Sequence, residues 1–131
     1  MAIGALRGEH HNPMHDWESI FWVLFWVCIH WDGPKRKRRI VKEFENWNKK
    51  SIEELAKLKM GLVLEDDGFN KEMSDNFSEY CRPLVPCMRQ LRKAVFPDGR
   101  RWLREDRVLY TQMVEVLDRA RRDLTDKVAT K

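Results

Sequence analysis

Ten consecutive apolar residues, Ile20 to Ile29 (IFWVLFWVCI), form the strongest pattern in the chain. A surface helix interrupts its apolar positions every third or fourth residue, so this run predicts a wholly buried element. Val, Ile, Phe and Trp lean toward strand, but the flanks are those of a helix. Asp16 is an N-cap residue, Glu18 adds negative charge to the first turn, and Asp32-Gly33-Pro34 supplies a stop. From Asp16 to Trp31 a helix spans roughly 24 Å at about 1.5 Å per residue, a length unusual for a strand. The reading is a central helix, apolar on every side.

The rest of the chain alternates amphipathic segments with breaks. Residues 4–15 (GALRGEHHNPMH) read as a loop leading into the buried helix. Ile40, Val41, Phe44 and Trp47 recur at helical spacing. Ser51-x-x-Glu54 is a capping box that opens a helix with Ile52, Leu55, Ala56 and Met60 on one side, ended or loosened at Gly61. Glu65-Asp66-Asp67-Gly68 reads as a turn, and Phe69, Met73, Phe77, Tyr80 and Cys81 mark a helix closed by Pro83. Leu84, Met88, Leu91 and Val95 run to a Pro97-Asp98-Gly99 turn. The last helix, about Leu103 to Leu124, carries the clearest stripe: Leu109, Met113, Val116, Leu117, Ala120 and Leu124. No repeat and no low-complexity tract is visible. The expected fold is all-α, one buried helix wrapped by amphipathic ones.

Composition narrows the class. With 131 residues and 43% hydrophobic side chains the chain fits one domain with a real core, and six tryptophans and six phenylalanines make that core aromatic. Charged residues at 35% and a net charge of +4 describe a soluble, moderately basic chain, not one-sided enough to name nucleic acid as partner. The apolar run is shorter than the about 20 residues a membrane span needs, and no secretory leader is visible. The three cysteines, Cys28, Cys81 and Cys87, show no C-x-x-C spacing. Cys28 reads as a small hydrophobe, and an intracellular setting, cytoplasmic or nuclear, is expected.

Met1-Ala2-Ile3, a polar loop holding His10 and His11, then His15-Asp16-x-Glu18-Ser19-Ile20-Phe21-x-Val23-Leu24-x-Trp26 resembles the fungal-type protein kinase family. The likeness is to the stretch just after the activation segment, where the buried F helix of the C-terminal lobe begins. It is specific over residues 1–31 and looser from Trp47 to Val63, where Trp47 and Ala56-x-x-Lys59 are similar to the family's next region. The resemblance implies that residues 1–131 are a partial kinase domain, the C-terminal lobe alone. It implies ATP-dependent phosphorylation of protein serine or threonine, with ATP and Mg as cofactors, for a full-length member.

The chemistry itself needs parts for which the chain can be checked. A glycine-rich loop, a strand lysine, H-R-D-x-x-x-x-N and D-F-G must all be present. Gly4 and Gly8 do not make the loop, His15-Asp16 is not H-R-D, and Asp67-Gly68-Phe69 scrambles D-F-G and follows the F-helix match instead of preceding it. No catalytic, cofactor-binding or metal residue is therefore assigned, and the chain alone is expected to be inactive. By the resemblance, Asp16 anchors the backbone of the catalytic loop; by its own position it is an N-cap. Met-Ala-Ile resembles the family's A-P-E counterpart, where a glutamate commonly follows and pairs with an arginine late in the lobe. Gly4 cannot form that pair, which should loosen the end of the activation segment.

Other candidates are weaker. His10, His11 and His15 lack the ligand spacing of a metal site and read as a polar loop. Lys35, Arg36, Lys37, Arg38 and Arg39 form a basic patch: a solvated loop, a nuclear-targeting cluster or a phosphate-binding surface. No aromatic interleaves it, so base stacking is not indicated. Arg100-Arg101 would join it in a nucleic-acid reading, and Arg121-Arg122 reads as an exposed helix face. Cys81 and Cys87 flank two prolines without a redox or metal pattern. The alternative to a kinase-lobe piece is a helical, pseudokinase-like interaction module. In either case a protein partner, or the missing remainder of the domain, is expected to cover exposed aromatic surface on the central helix.

Overall fold

The computed structural model describes residues 1–33, 41–102 and 106–129. It is 77% helix, with no strand among the described residues, as the all-α reading requires. The helices are α1 (Ile3–Leu6), α2 (Pro13–His30), α3 (Lys42–Glu45), α4 (Ile52–Val63), α5 (Asp66–Asn76), α6 (Val85–Val95) and α7 (Arg107–Ala129). Short 3-10 turns follow at Asn46–Lys49, Arg82–Leu84 and Pro97–Gly99.

Helix α2 is the axis, and six phenylalanines explain why. Phe21, Phe25, Phe44, Phe69, Phe77 and Phe96 are all fully buried. The Phe25 ring lies 5.6 Å from Phe44, 5.6 Å from Phe69 and 5.8 Å from Phe77, and Phe21 lies 5.5 Å from Phe96. Helices α3 and α5, the segment after α5 and the turn after α6 thus each place an aromatic ring on or beside α2. Helices α6 and α7 close the core with Met88, Leu91 and Val95 facing Leu109 and Met113.

Buried polar groups fix the junctions. The Arg92 guanidinium, 5% exposed, donates to the Val63 carbonyl at 3.0 Å and to the Asp66 carboxylate. That ties α6 to the break between α4 and α5 with charge-assisted bonds. Ser78 Oγ donates to the Trp31 carbonyl at 2.6 Å, and the Ser78 N–H donates to the Cys28 carbonyl at 2.9 Å. Orphan carbonyls at the end of α2 are satisfied in this way. Gly99 sits at φ +73°, and a Cβ there would stand 2.6 Å from the Leu64 carbonyl oxygen. Gly99→Ala is therefore expected to cost about 2 kcal/mol, from left-handed backbone plus collision with main chain; urea unfolding reads it directly.

The structure corrects several boundaries. Helix α2 starts at Pro13, capped by Asn12, whose side chain accepts from the Met14 N–H at 2.7 Å. Asp16 is thus a first-turn residue, not the N-cap; proline at N1 behind an asparagine is the stronger start. The expected loop over residues 4–15 holds α1. Nor is the apolar run wholly buried: Ile20, Val23 and Val27 are 38%, 61% and 42% exposed. Gly61 does not end α4, which runs to Val63 with Ala56, Lys59 and Val63 inward and Ile52 exposed. Asp66-Asp67-Gly68 is the first turn of α5, acidic as the helix dipole favours. Helix α5 stops at Asn76, leaving Tyr80 and Cys81 outside it. The helix expected around Val41–Trp47 is a single α turn continued as 3-10.

Candidate functional site

The N-terminal segment is held to α2 by one carboxylate. Glu18 sits one turn into the apolar run's approach and is 5% exposed. Its Oε2 accepts from the Ile3 backbone N–H at 2.6 Å and from Trp22 Nε1 at 2.8 Å. Two donors converging on one carboxylate oxygen make short, directional hydrogen bonds. The donor at Ile3 is one of the orphan N–H groups at the start of α1. Met1-Ala2-Ile3 and Glu18, which the resemblance grouped by sequence, are therefore in direct contact.

Lys59, from α4, comes to the same place. Its side chain is 3% exposed, its ammonium lies 4.9 Å from the Trp22 ring and 5.9 Å from the Trp47 ring, and it donates to the Met1 carbonyl. Burial pushes the Lys59 amine below its ordinary value, with the hydrogen bond at the Met1 end and the Glu18 charge acting the other way. Trp47 and Lys59, the markers of the looser second stretch of resemblance, converge here on Trp22 of the first.

Gly4 lies at a second junction. A Cβ at Gly4 would come within 2.4 Å of Glu9 Oε1, 2.4 Å of His15 Nε2 and 2.8 Å of Arg101 Nη1, so the missing side chain leaves the room these three fill. Arg101, from the loop between α6 and α7, grips Glu9 with two bonds of 3.0 and 2.7 Å. His15 Nε2 stands 3.5 Å from the same Glu9 carboxylate. Gly4 itself forms no pair, as expected, and Glu9 and Arg101 make a carboxylate–arginine pair beside it. Sequence reasoning missed Glu9 because a partner 92 positions away leaves no local signature.

The Arg101 hydrogen bond holds the Glu9 carboxyl below its ordinary value of 4.5, the Arg101 and His15 charges assisting and burial opposing. A carboxyl depressed on folding stabilises the fold above its unfolded pKa and loses that contribution as pH falls through the folded value. The thermal midpoint of the wild type should therefore exceed that of Glu9→Gln at pH 6. The gap should close as pH drops below about 4.5.

Other sequence candidates fall elsewhere. The Asp16 side chain is 67% exposed and 3.4 Å from His11 Nε2, at the outer edge of the first turn of α2. His15 is buried while His10 and His11 are exposed, and no group of three ligating side chains could hold a metal among the described residues. Asp67-Gly68-Phe69 is helical, with Phe69 in the core, so it forms no metal loop. Arg101 pairs with Glu9, and Arg121 and Arg122 are exposed and pair with Asp118, as expected for an outer helix face. Lys35, Arg36, Lys37, Arg38 and Arg39 lie outside the described residues. Burial, with Cys81 beside it, pushes the Cys28 thiol up, which makes it a poor nucleophile.

What the geometry defines is a helical scaffold whose N-terminal segment is clamped to a central helix and to a distant loop. Residues 1–28 match the fungal protein kinase family. That stretch contains α1, the Glu9 loop and all of α2 up to Cys28, and supports a relation to that family. No curated protein and no solved structure matches the chain. No helix is long and apolar enough to cross a membrane among the described residues.

Proposed function

We propose that this chain is a C-terminal-lobe portion of a fungal-type protein kinase domain, a scaffold that carries none of the phosphoryl-transfer residues. The observation that supports it most is the agreement between the matched stretch and the contacts. Ile3 and Glu18 from the family likeness, with Lys59 and Trp47 from the second stretch, meet around the buried ring of Trp22, an unspecified position of the first stretch. The Glu9–Arg101 pair then performs the clamp that the family places at Gly4. In a whole domain Asp16, exposed at the start of α2, would be free to accept bonds from the catalytic loop. ATP-dependent serine/threonine phosphorylation would belong to that whole domain.

Titrating the chain with ATP and magnesium in a calorimeter is the test, and no saturable heat is expected. Magnesium-dependent nucleotide binding would overturn the scaffold reading, since no residue set here could account for it.

A second reading, a helical interaction module, is favoured by one observation. Ile20, Val23 and Val27 form an uncovered stripe along α2, with Trp31 at its end. The exposed surface is mainly aliphatic; Trp17 and Trp26 are half-buried. Sedimentation separates the two readings. A discrete dimer or complex favours the module, and a monomer that tends to aggregate favours a lobe lacking its neighbours.

A further inference from the structure

A cleft of about 260 Å³ opens between α2, α4 and the turn after α3, and it shares Trp22, Trp47 and Lys59 with the cluster described above. Its walls are Trp22, Trp26 and Trp47 with Val23 and Val27, and Lys59 lies in its lining. Lys59 is the unusual member. Its ammonium is almost wholly buried, and the partners it finds within the described residues are both at Met1, the carbonyl and the amino group. An ammonium carries three donors. Glu18, the nearest carboxylate acting on it, already accepts from Ile3 and Trp22 through Oε2. Buried cations are ordinarily paired, because a lone one forfeits its hydration. The two indole faces at 4.9 and 5.9 Å supply part of the compensation, leaving donor capacity at the cleft.

We propose that this cleft binds a small aryl monocarboxylate, its carboxylate on Lys59 and its ring between the tryptophans. The chemistry selects each part of the ligand. A single ammonium matches one negative charge, whereas a phosphate dianion would be left half-neutralised against apolar walls. Three indoles favour a flat aromatic body through offset or edge contacts. Clefts for drug-sized ligands run about 300–1,000 Å³, so this one takes one or two rings. Val23 and Val27, both exposed, line the open side and leave a path for entry. The likeness of the matched family says nothing of such a site; the argument rests on Lys59 and its surroundings.

The probe is naphthalene-2-carboxylate, compared with 2-naphthylmethanol, which keeps the rings and lacks the charge. Binding is read by ligand-observed NMR at pH 7. The acid is expected to bind the wild-type chain about tenfold or more tightly than the alcohol, the usual value of a charge-assisted hydrogen bond. Lys59→Met should bring the acid down to the level of the alcohol while leaving the helical circular dichroism in place. Equal affinity for acid and alcohol, no binding of either at millimolar concentration, or a preference that survives in Lys59→Met would each overturn the proposal. If Lys59→Met does not fold, the acid-against-alcohol comparison on the wild type decides alone.

Discussion

Replacing Phe25 with alanine should destabilise the protein by about 3–5 kcal/mol, the range for removing a large aromatic side chain from a core. Phe25 is the ring on α2 that touches Phe44, Phe69 and Phe77 together, so the void would open where α3, α5 and the segment after α5 meet. Those neighbours are themselves fully buried and belong to different elements, which limits how far the site can collapse. Against a total of about 5–15 kcal/mol for a typical domain, the loss removes much of the stability. Val23→Ala, two residues earlier on the same helix, is the control. Val23 is 61% exposed, and its truncation should change stability by no more than about 0.5 kcal/mol. Urea unfolding of both variants checks the pair. Similar losses in the two would mean that α2 is not oriented as described.

Glu18→Ala should cost about 3 kcal/mol, by a different mechanism. The change removes the acceptor from two buried donors, the Ile3 N–H and Trp22 Nε1, and each stranded donor carries a penalty of about 1–3 kcal/mol. It also removes the negative charge that acts on Lys59. Glu18→Gln keeps an oxygen for both donors and loses the charge, so it should cost roughly half as much. Hydrogen exchange gives the local readout: α1 amides should lose protection in Glu18→Ala well before those of α2. Unchanged protection of the Ile3 amide would contradict the role given to Glu18.

Much of the fold could be read from residue periodicity, and the reasons for each miss are local. The apolar run announced α2, but its N-cap lies at Asn12, four residues before Asp16 and inside the stretch read as a loop. The Asn12-Pro13 pair prevailed because proline is already set for the first helical turn and gives up an N–H that would be orphaned anyway. Asp66-Asp67-Gly68 resembled a turn by composition, although paired acids are equally the mark of a helix start. The stripe of Ile20, Val23 and Val27 could not be told from the core by pattern, since periodicity reports polarity and not what lies opposite. Glu18 could be read as part of a motif, yet its two acceptor bonds depend on where Ile3 and Trp22 fold. Glu9 and Arg101 had no signal at all: one sits in a polar loop, the other beside a second arginine, and only the fold joins them. Lys59 was visible through its spacing from Ala56, and its burial against two tryptophans was not.

Phosphoryl transfer depends on short motifs with fixed spacing, and those motifs can be sought directly. Contacts that hold a scaffold are long-range and leave no such trace. The junction at Gly4 shows the difference: the family resemblance implies a carboxylate at that position, while the structure places Glu9 in the space beside the glycine.

The measurement that bears most directly on the kinase-lobe proposal is the reading frame of the native transcript upstream of the Met1 codon. A frame that continues through a glycine-rich loop, a strand lysine, H-R-D and D-F-G, in that order, is the expected result. Asp16 would then stand where it can anchor the catalytic loop, and the Ile20–Val27 stripe would have its neighbours. An in-frame stop just ahead of Met1, with no kinase sequence beyond it, would contradict the proposal and leave the interaction module as the reading of this scaffold.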